Sequence, residues 1–408
     1  MLDRKGAEEL LKAHGQEGVL AGFDSLTKEQ QEGLLQQIAS IDWEELAMAK
    51  KQQTPPHGIL TPMDALEVTE IEARRSEYEA VGKQALREGK VAALLLAGGM
   101  GTRLGLDCPK GELNVGVSKT IYLFQCLVEN LRSVCDSCGT TIPLYIMTSE
   151  KNDAETRRFF AEHDYFGYPA QKVHFFVQQM AFAVDYDGKL LLEGPGRLSA
   201  SPNGNGGWFK SLKRAGFLDA IHAEGIEWIN IFAVDNPLQR ICDPVFVGAT
   251  ILSGAESGSK VIRKNAPEEK LGVLCRDDGR PSIIEYYEMT DEMRLSRRED
   301  GELSYAYGVI LNYLFRVDAL ERIVDRRLPV HVVEKKIPYM DGDGNTFKPA
   351  KENGYKFETL VVDMIRMMND TLAFEVVREK EFAPIKNLHG VDSLDSSREL
   401  LKKNGIDL

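Results

Sequence analysis

Residues 91–105 read VAALLLAGGMGTRLG, and this stretch decides the fold class. Its first part, Val91 to Leu96, is an unbroken apolar run, which is typical of a strand buried on both faces of a parallel sheet. The part that follows, Ala97 to Arg103, contains three glycines. Glycines let backbone N–H groups approach a base or a phosphate closely and permit positive φ in a turn. The stretch therefore predicts a buried strand followed by a ligand-binding loop.

The glycine spacing in this loop differs from that of the common phosphate-binding motifs. Gly99, Gly101 and Gly105 fit neither the Walker A sequence nor the GxGxxG dinucleotide fingerprint. Two cations, Arg103 and Lys110, follow within a few residues, where a triphosphate would need them. The glycines alone are compatible with an ordinary turn, and the cations favour an anionic ligand.

The chain after the loop alternates between strand-like and helix-like segments. Apolar runs predict strands at 142–147, 173–177 and 228–234, and apolar residues at helical spacing predict helices around 124–131 and 153–160. Such alternation predicts an α/β fold with a mixed, mostly parallel sheet and flanking helices. In such sheets ligands bind beyond the carboxyl ends of the strands.

The flanking regions have other textures. Residues 1–90 predict a helical extension, because Thr27 and Gln30 have capping-box spacing and an extended connector at 55–62 precedes further charged helix. Strand-rich segments at 260–263, 272–275 and 283–287 predict a mixed or antiparallel sheet beside the parallel core. Residues 355–368 are predicted as one helix. The predicted domains are 1–90 (helical extension), 91–390 (ligand-binding α/β domain) and 391–408 (short tail).

Composition excludes several classes of protein. The chain of 408 residues carries a net charge of −13, which argues against a nucleic-acid surface but leaves small anionic ligands open. No apolar run approaches the roughly 20 residues of a membrane span. The start, Met1 to Lys5, lacks the apolar core of a signal peptide, so we expect a cytoplasmic location. Cys135 and Cys138 form a CxxC pair without the second pair of a zinc site.

The loop and the following Pro109-Lys110-Gly111 resemble the signature of the UDP-sugar pyrophosphorylase family, in particular its eukaryotic-type UDP-N-acetylhexosamine pyrophosphorylases. Further segments resemble the family in the same order: 146–149, 163–167, 203–207, 234–236, 285–286, 335–339 and 384–387. The resemblance covers about 91–390 and implies a Rossmann-like, GT-A-like nucleotidyltransferase fold. It implies a uridylyltransferase that uses UTP, a sugar 1-phosphate and Mg²⁺.

The resemblance also implies three groups of site residues. The nucleotide-binding group comprises Leu96, Ala97, Gly98, Gly99, Lys110, Gln178, Gly204, Asp235 and Lys356. The sugar-phosphate group comprises Asn205, Glu285, Tyr286 and Lys386. The catalytic group comprises Arg103, Lys110 and Lys386, and Asp235 is also the implied Mg²⁺ ligand.

The chemistry explains why these groups contain no catalytic histidine or serine. The nucleophile is a sugar phosphate already ionised at neutral pH, so no base must remove a proton. The barrier lies in bringing two anions together and in stabilising charge on the α-phosphorus and on the departing pyrophosphate. Positioning and cations supply that stabilisation. A strand-end carboxylate such as Asp235 suits Mg²⁺, which prefers oxygen ligands.

One departure from the family concerns the sugar. The family usually has an asparagine that touches the sugar where this chain has Val309, and a valine side chain cannot make that hydrogen bond. N-acetylglucosamine 1-phosphate is the leading substrate. The alternatives are a UDP-glucose or broad-specificity UDP-sugar pyrophosphorylase and a non-catalytic UDP-sugar sensor. The pattern sets no oligomeric state and is compatible with a monomer.

Overall fold

The computed structural model describes residues 2–48, 57–341 and 344–408. The chain forms two compact units. The larger unit consists of His57–Gln178, Trp208–Arg327 and Val362–Leu408, and the smaller unit of Met1–Pro56, Gln179–Gly207 and Leu328–Val361. The three sequence ranges stay a prediction, and the compact units group residues differently, since 57–90 and 391–408 both lie in the larger unit.

The strands follow one another along the chain as β1 (Leu60–Pro62), β2 (Val91–Leu96), β3 (Leu144–Thr148), β4 (Val173–Val177), β5 (Met180–Phe182), β6 (Val184–Asp185), β7 (Leu192–Gly194), β8 (Arg197–Leu198), β9 (Ala200–Pro202), β10 (Trp228–Ala233), β11 (Ser257–Arg263), β12 (Val273–Asp277), β13 (Arg280–Ile284), β14 (Tyr307–Arg316), β15 (His331–Lys335), β16 (Tyr339–Met340), β17 (Thr346–Phe347), β18 (Gly354–Glu358) and β19 (Thr371–Glu375).

The α-helices are α1 (Arg4–Ala13), α2 (Lys28–Ala39), α3 (Trp43–Met48), α4 (Val68–Ala73), α5 (Arg75–Arg87), α6 (Leu123–Cys138), α7 (Asp153–Glu162), α8 (Trp208–Arg214), α9 (Phe217–Ala223), α10 (Pro244–Ser253), α11 (Asp291–Leu295), α12 (Val317–Ile323), α13 (Val361–Met367), α14 (Arg378–Glu381) and α15 (Leu394–Lys403). No helix of the described residues is long and apolar enough to cross a membrane. The cytoplasmic location stays a prediction.

A ten-stranded sheet organises the larger unit. Its main path is β1-β12-β14-β10-β2-β3-β4, in which β10, β2, β3 and β4 run parallel. Every residue of β2 is buried, as expected for a strand covered on both faces. The core on one face includes Leu127 and Leu131 of α6, which the helical spacing predicted. The structure confirms the α/β class and the parallel core of a mixed sheet.

The strand-rich region after residue 255 is not a separate sheet, and that prediction was wrong. β11, β12 and β13 belong to the ten-stranded sheet, because β14 pairs antiparallel with β10 and then with β11 and β12. The sequence analysis missed β14 as a strand. Its pairing with β10 joins residues far apart in sequence, which local patterns do not reveal.

The predicted helix at 355–368 is also partly wrong. Residues up to Glu358 form β18, which pairs antiparallel with β15 and β6. Only the second part is helical, as α13, with Met364 and Ile365 buried. The helical spacing correctly predicted α13, but the predicted helix also included upstream residues that form a strand. Along β18, Tyr355 and Phe357 are buried while Lys356 is half-buried, which is the period of two of a strand.

The smaller unit has its own core. The three-stranded sheet β15-β18-β6 contributes Phe357 and Val184, and α1 and α2 contribute Leu11, Leu34 and Ile38. The predicted capping box is present, since the Thr27 and Gln30 side chains accept hydrogen bonds from each other's backbone N–H groups. The helices predicted in the first half of 1–90 are therefore confirmed over the described residues.

Two glycines allow α5 and α10 to pack very closely in the larger unit. A Cβ atom built on Gly82 would lie 1.8 Å from the Pro244 carbonyl oxygen, and one on Gly248 would lie 1.8 Å from the Tyr78 carbonyl oxygen. Both obstacles are backbone atoms, which cannot rotate away. The helix pair therefore requires glycine at both positions.

We predict that Gly82→Ala and Gly248→Ala each destabilise the protein by about 1–3 kcal/mol or more, because the added methyl group forces the helices apart. Gly33→Ala is the matched control, since Gly33 lies within α2 and a Cβ there would meet nothing within 4 Å. The control should be neutral or stabilising by about 0.5–1 kcal/mol, because alanine favours helix. Urea unfolding measures all three, and equal stability of the three variants would contradict the packing.

Candidate active site

Parallel pairing of β2 and β10 brings two predicted site segments to one edge of the sheet. Leu96 lies opposite Ala233 at the last register position of the two strands. The glycine loop starts directly after Leu96, and Asp235 lies two residues after Ala233. The loop and the predicted metal ligand therefore leave the sheet side by side, at the edge where α/β proteins bind ligands.

A buried asparagine that the sequence analysis did not identify holds the loop. The Asn152 amide donates to the Ala97 carbonyl oxygen at 2.9 Å and to the Gly99 carbonyl oxygen at 3.4 Å. Its oxygen accepts from the Ser149 backbone N–H at 2.7 Å. Asn152 thereby ties the loop to the end of β3. The available sequence signal was an asparagine three residues after a strand-end serine, a common turn pattern.

The predicted uracil residues Gly98 and Gln178 lie against each other. A Cβ atom on Gly98 would be 2.1 Å from the Gln178 side-chain nitrogen, so only glycine permits this approach. Gln178 is buried, and its backbone N–H donates to the Thr148 carbonyl oxygen at 2.9 Å, which continues the pairing of β4 with β3. Next to them Gly99 is exposed, with open space where its Cβ would be. The Gln178 side-chain amide therefore lies beside backbone that a ligand can reach.

The loop closes on itself and presents a cation. The Lys110 N–H donates to the Gly99 carbonyl oxygen at 3.2 Å, and the Gly101 N–H donates to the Cys108 carbonyl oxygen at 3.1 Å. Arg103 lies on a short 3-10 turn between these points and is exposed. Its side chain makes no ion pair within 4.0 Å among the residues that the structure describes. Arg103 is therefore available to an anion at the surface of the loop.

Lys110 and Asp235 meet directly. The Lys110 Nζ atom lies 3.3 Å from the Asp235 Oδ2 atom, and the side chains are 17% and 26% exposed. The pair thus combines a cation from the loop with a carboxylate from the end of β10 in a partly desolvated place. Such an arrangement can hold a phosphate on the ammonium side and a divalent cation on the carboxylate side.

Glu112 carries a carboxylate two residues after Lys110. Burial and the nearby negative charge of Glu155 raise the pKa of Glu112 to about 7. Its Oε1 atom is buried and has no hydrogen-bond partner among the described residues. Glu112 is therefore neutral over much of the range below pH 7.

Lys386 reaches the same edge through the segment that precedes it. The Ile385 N–H donates to the Asp235 carbonyl oxygen at 2.9 Å, so the neighbouring Lys386 follows the predicted metal ligand closely. The Lys386 Nζ atom lies 2.9 Å from the Asp392 Oδ2 atom, with side chains 44% and 30% exposed. An exposed ion pair of this kind contributes only about 0–1 kcal/mol, so Lys386 can exchange Asp392 for a phosphate at low cost.

The predicted sugar residues Glu285 and Tyr286 follow β13. A Cβ atom on Gly272 would lie 3.2 Å from the Glu285 Oε1 atom, and the Gly272 carbonyl oxygen accepts from the Val309 N–H at 2.9 Å. Glu285 and Val309 thus flank Gly272. Tyr286 is 37% exposed, with the Lys270 Nζ atom 6.0 Å from its ring centroid. Val309 is therefore close to Glu285, the predicted sugar carboxylate.

Gly204, Asn205 and Lys356 belong to the smaller unit. Gly204 has φ +85, and its Cβ would lie 2.2 Å from the Thr359 carbonyl oxygen, so glycine is required there. The Asn205 Oδ1 atom accepts from the Val361 N–H at 2.9 Å. Lys356 lies on β18, opposite Val333 of β15. The structure brings these residues together around the end of β18.

Asp235, a single strand-end carboxylate beside Lys110, is the residue that would hold a Mg²⁺ ion at this edge of the sheet. Among the described residues no group of three or more His, Cys, Asp or Glu side chains could hold a metal ion. Mg²⁺ is commonly held by one or two carboxylates together with substrate phosphates and water. A single strand-end carboxylate beside Lys110 matches that pattern.

Comparison with known proteins supports the resemblance. A family model described as UTP–glucose-1-phosphate uridylyltransferase matches residues 22–404. The Homo sapiens protein named UDP-N-acetylhexosamine pyrophosphorylase-like protein 1 is 37% identical over 423 residues, covering 98% of this chain and 83% of the relative. The UDP-N-acetylglucosamine pyrophosphorylase of Saccharomyces cerevisiae is 33% identical, covering 98% of this chain and 89% of the relative.

A solved structure agrees with these matches. The uridine diphosphate N-acetylglucosamine pyrophosphorylase of Trypanosoma brucei, determined with an inhibitor, superposes with a TM-score of 0.85 and 28% identity. The match covers 98% of this chain and 84% of that chain. Because the family model spans most of the sequence and the relatives cover nearly all of it, this chain belongs to the UTP–glucose-1-phosphate uridylyltransferase family.

Proposed function

We propose that the chain transfers a uridylyl group from UTP to N-acetylglucosamine 1-phosphate, forming UDP-N-acetylglucosamine and pyrophosphate, with Mg²⁺ as cofactor. The observation that carries the proposal is the meeting of Lys110 and Asp235 beside the glycine loop, with the Lys386 segment bonded to Asp235. A site that only senses UDP-sugar has no need of this full set of charged groups.

The reaction needs little covalent chemistry from the protein. An oxygen of the sugar phosphate attacks the α-phosphorus of UTP, and the bond from that phosphorus to the β-phosphate oxygen breaks. The electron pair leaves with pyrophosphate, and no proton must be moved. The task of the protein is to align two anions and to stabilise the charge that develops.

The loop performs the first task in this proposal. Its backbone between Leu96 and Gly99 and the Gln178 amide are the groups that contact uracil and ribose, because Gly98 leaves room for that amide. Asn152 fixes the loop before any ligand arrives, so the pocket is preorganised. Hydrogen bonds from a fixed backbone favour one base and lose little entropy on binding.

The cations perform the second task. Arg103 and Lys110 hold the triphosphate from the loop, and Lys386 neutralises charge shared between the α-phosphate and the leaving pyrophosphate. When Mg²⁺ is bound, it polarises the phosphate oxygens and offsets their charge. Asp235 would hold that ion. Lys110 would then contact the phosphates instead of Asp235.

The names of the relatives favour N-acetylglucosamine as the sugar, whereas Val309 favours the alternative sugar, glucose. Several relatives carry UDP-N-acetylglucosamine in their names, which supports the first choice. The missing polar side chain at Val309 weakens the sugar site, so glucose 1-phosphate is the second candidate. A panel assay decides: purified protein with UTP, Mg²⁺ and each sugar 1-phosphate, with pyrophosphate release measured. Release with none of the sugars would refute the proposal.

We predict that Lys386→Ala lowers kcat by about 10²-fold or more, because charge stabilisation in the transition state is lost. Lys380→Ala is the matched control, an exposed lysine on the preceding helix that should keep kcat within about twofold of the wild type, as expected for a surface substitution. Steady-state pyrophosphate release measures both variants. Equal turnover of the two would remove Lys386 from the site.

We predict that Asp235→Asn raises the Mg²⁺ concentration needed for half-maximal rate by about tenfold or more, because an amide is a weaker ligand than a carboxylate for a hard cation. Calorimetric titration of Mg²⁺ into the UTP complex should show the same weakening without turnover. Asp107→Asn, on an exposed part of the loop, is the control. An unchanged Mg²⁺ titration for Asp235→Asn would count against the metal role.

We predict that Val309→Asn lowers the KM for N-acetylglucosamine 1-phosphate by about three- to tenfold, the effect of one added hydrogen bond. The KM for UTP should not change, because Val309 lies beside Glu285 rather than beside the glycine loop. An unchanged KM for every sugar phosphate would show that position 309 does not contact the sugar.

A further inference from the structure

A single buried amide joins the strand end that carries Asp235 to the segment that carries Lys386. The Asn236 side-chain nitrogen donates to the Glu381 carbonyl oxygen at 2.7 Å. Its oxygen accepts from the Ala383 N–H at 2.9 Å. Asn236 is 1% exposed, so water does not compete for either bond. Because Asn236 directly follows Asp235, the amide sets the distance between the two chain segments at that point.

The far end of the same segment is anchored by a buried lysine. The Lys260 side chain is 0% exposed, and its Nζ atom lies 2.6 Å from the Glu381 Oε2 atom and 3.0 Å from the Arg240 carbonyl oxygen. Asp243 lies 3.6 Å from the same ammonium group. A buried, hydrogen-bonded charge has few alternative geometries, so Glu381 has little freedom to move.

These contacts fix the path of the backbone from Glu381 to Ile385. Glu381 is held by Lys260, Ala383 by Asn236, and Ile385 by its bond to the Asp235 carbonyl oxygen. Every second residue is thus fixed to the chain around the end of β10. Lys386 is the next residue, and its side chain can exchange its exposed partner, Asp392, for another anion.

We propose that Asn236 is a positioning residue for uridylyl transfer, holding Lys386 at a fixed place relative to Asp235. This inference rests on the proposed function, because it assigns Lys386 a catalytic contact. Asn236 itself touches no substrate in this account, since both ends of its amide are bonded to backbone. A displacement of about 1 Å at a reacting group can cost about 10²-fold in rate. A hydrogen-bonded bridge that prevents such a displacement therefore affects kcat.

The test compares two nearly isosteric substitutions, one just after the end of β10 and one within β10. Asn236→Asp keeps the acceptor for Ala383 but places a carboxylate oxygen against the Glu381 carbonyl oxygen. Asn230→Asp is the control, because the Asn230 amide is equally buried. It donates to the Asn312 Oδ1 atom at 2.8 Å and to the Tyr313 carbonyl oxygen at 2.9 Å, and it accepts from the Cys242 N–H at 2.7 Å. Asn236→Asp loses one donated hydrogen bond and Asn230→Asp loses two, so the control disturbs the fold at least as much. Only the first should displace Lys386.

We expect both variants to lower the melting temperature, whereas only Asn236→Asp should lower kcat, by about tenfold or more. Its KM for UTP should stay within about twofold, because the glycine loop is unchanged. In the Lys386→Ala background, Asn236→Asp should have almost no further effect on kcat, since residues that act through one group are not additive. Asn230→Asp should leave kcat almost unchanged in both backgrounds.

Four outcomes would overturn the inference. Equal kcat losses in Asn236→Asp and Asn230→Asp would show a general structural effect, and full multiplication of the Asn236→Asp and Lys386→Ala effects would show that Asn236 acts elsewhere. An active wild type impaired by Lys386→Ala but not by Asn236→Asp would refute only the positioning role. A wild type that transfers uridylyl to no sugar phosphate would refute the proposed function and this inference with it.

Discussion

The parallel pairing of β2 with β10 is the constraint on which the site depends. It places the end of the glycine loop strand opposite Ala233, so that loop backbone and the carboxylate of Asp235 lie at one edge of the sheet. β2 is buried throughout, and moving its register by one residue would swap its side chains between the two packed faces and separate the loop from Asp235. Asn152 and Asn236 then attach the loop and the Lys386 segment to strand ends. The core that stabilises the sheet therefore also sets the distances in the site.

Charge in this protein has to be considered locally. The whole chain carries −13, yet the loop and the adjoining segment bring Arg103, Lys110 and Lys386 to one edge of the sheet. Lys110 and Lys386 are each paired with a carboxylate, Asp235 and Asp392. Replacing Asp392 by phosphate costs little, because that pair is exposed. A negative protein can in this way present a site for two anionic substrates.

Local sequence patterns predicted the parts of the fold that depend on local contacts. The run into β2, the spacing in α6 and the capping box of α2 each depend on residues within a few positions, and the structure confirms all three. The place of β11 to β14 in the main sheet depends on the pairing of β14 with β10, which joins residues as far apart as Trp228 and Arg316, so no local pattern indicated it. The first residues of the predicted helix at 355–368 form β18 because β15 and β6 pair with them. The resemblance supplied the site residues, but the bridging roles of Asn152 and Asn236 became visible only from the contacts of their amides.

A crystal structure with UDP-N-acetylglucosamine and Mg²⁺ tests the central claim most directly. The account predicts uracil against the backbone of 96–99 and the Gln178 amide, with the diphosphate at Lys110 and Lys386 and the metal ion at Asp235. It also predicts that the Lys110–Asp235 and Lys386–Asp392 pairs open when the product binds. Product bound away from the carboxyl ends of β2 and β10, or a diphosphate that contacts none of these three charged residues, would contradict it.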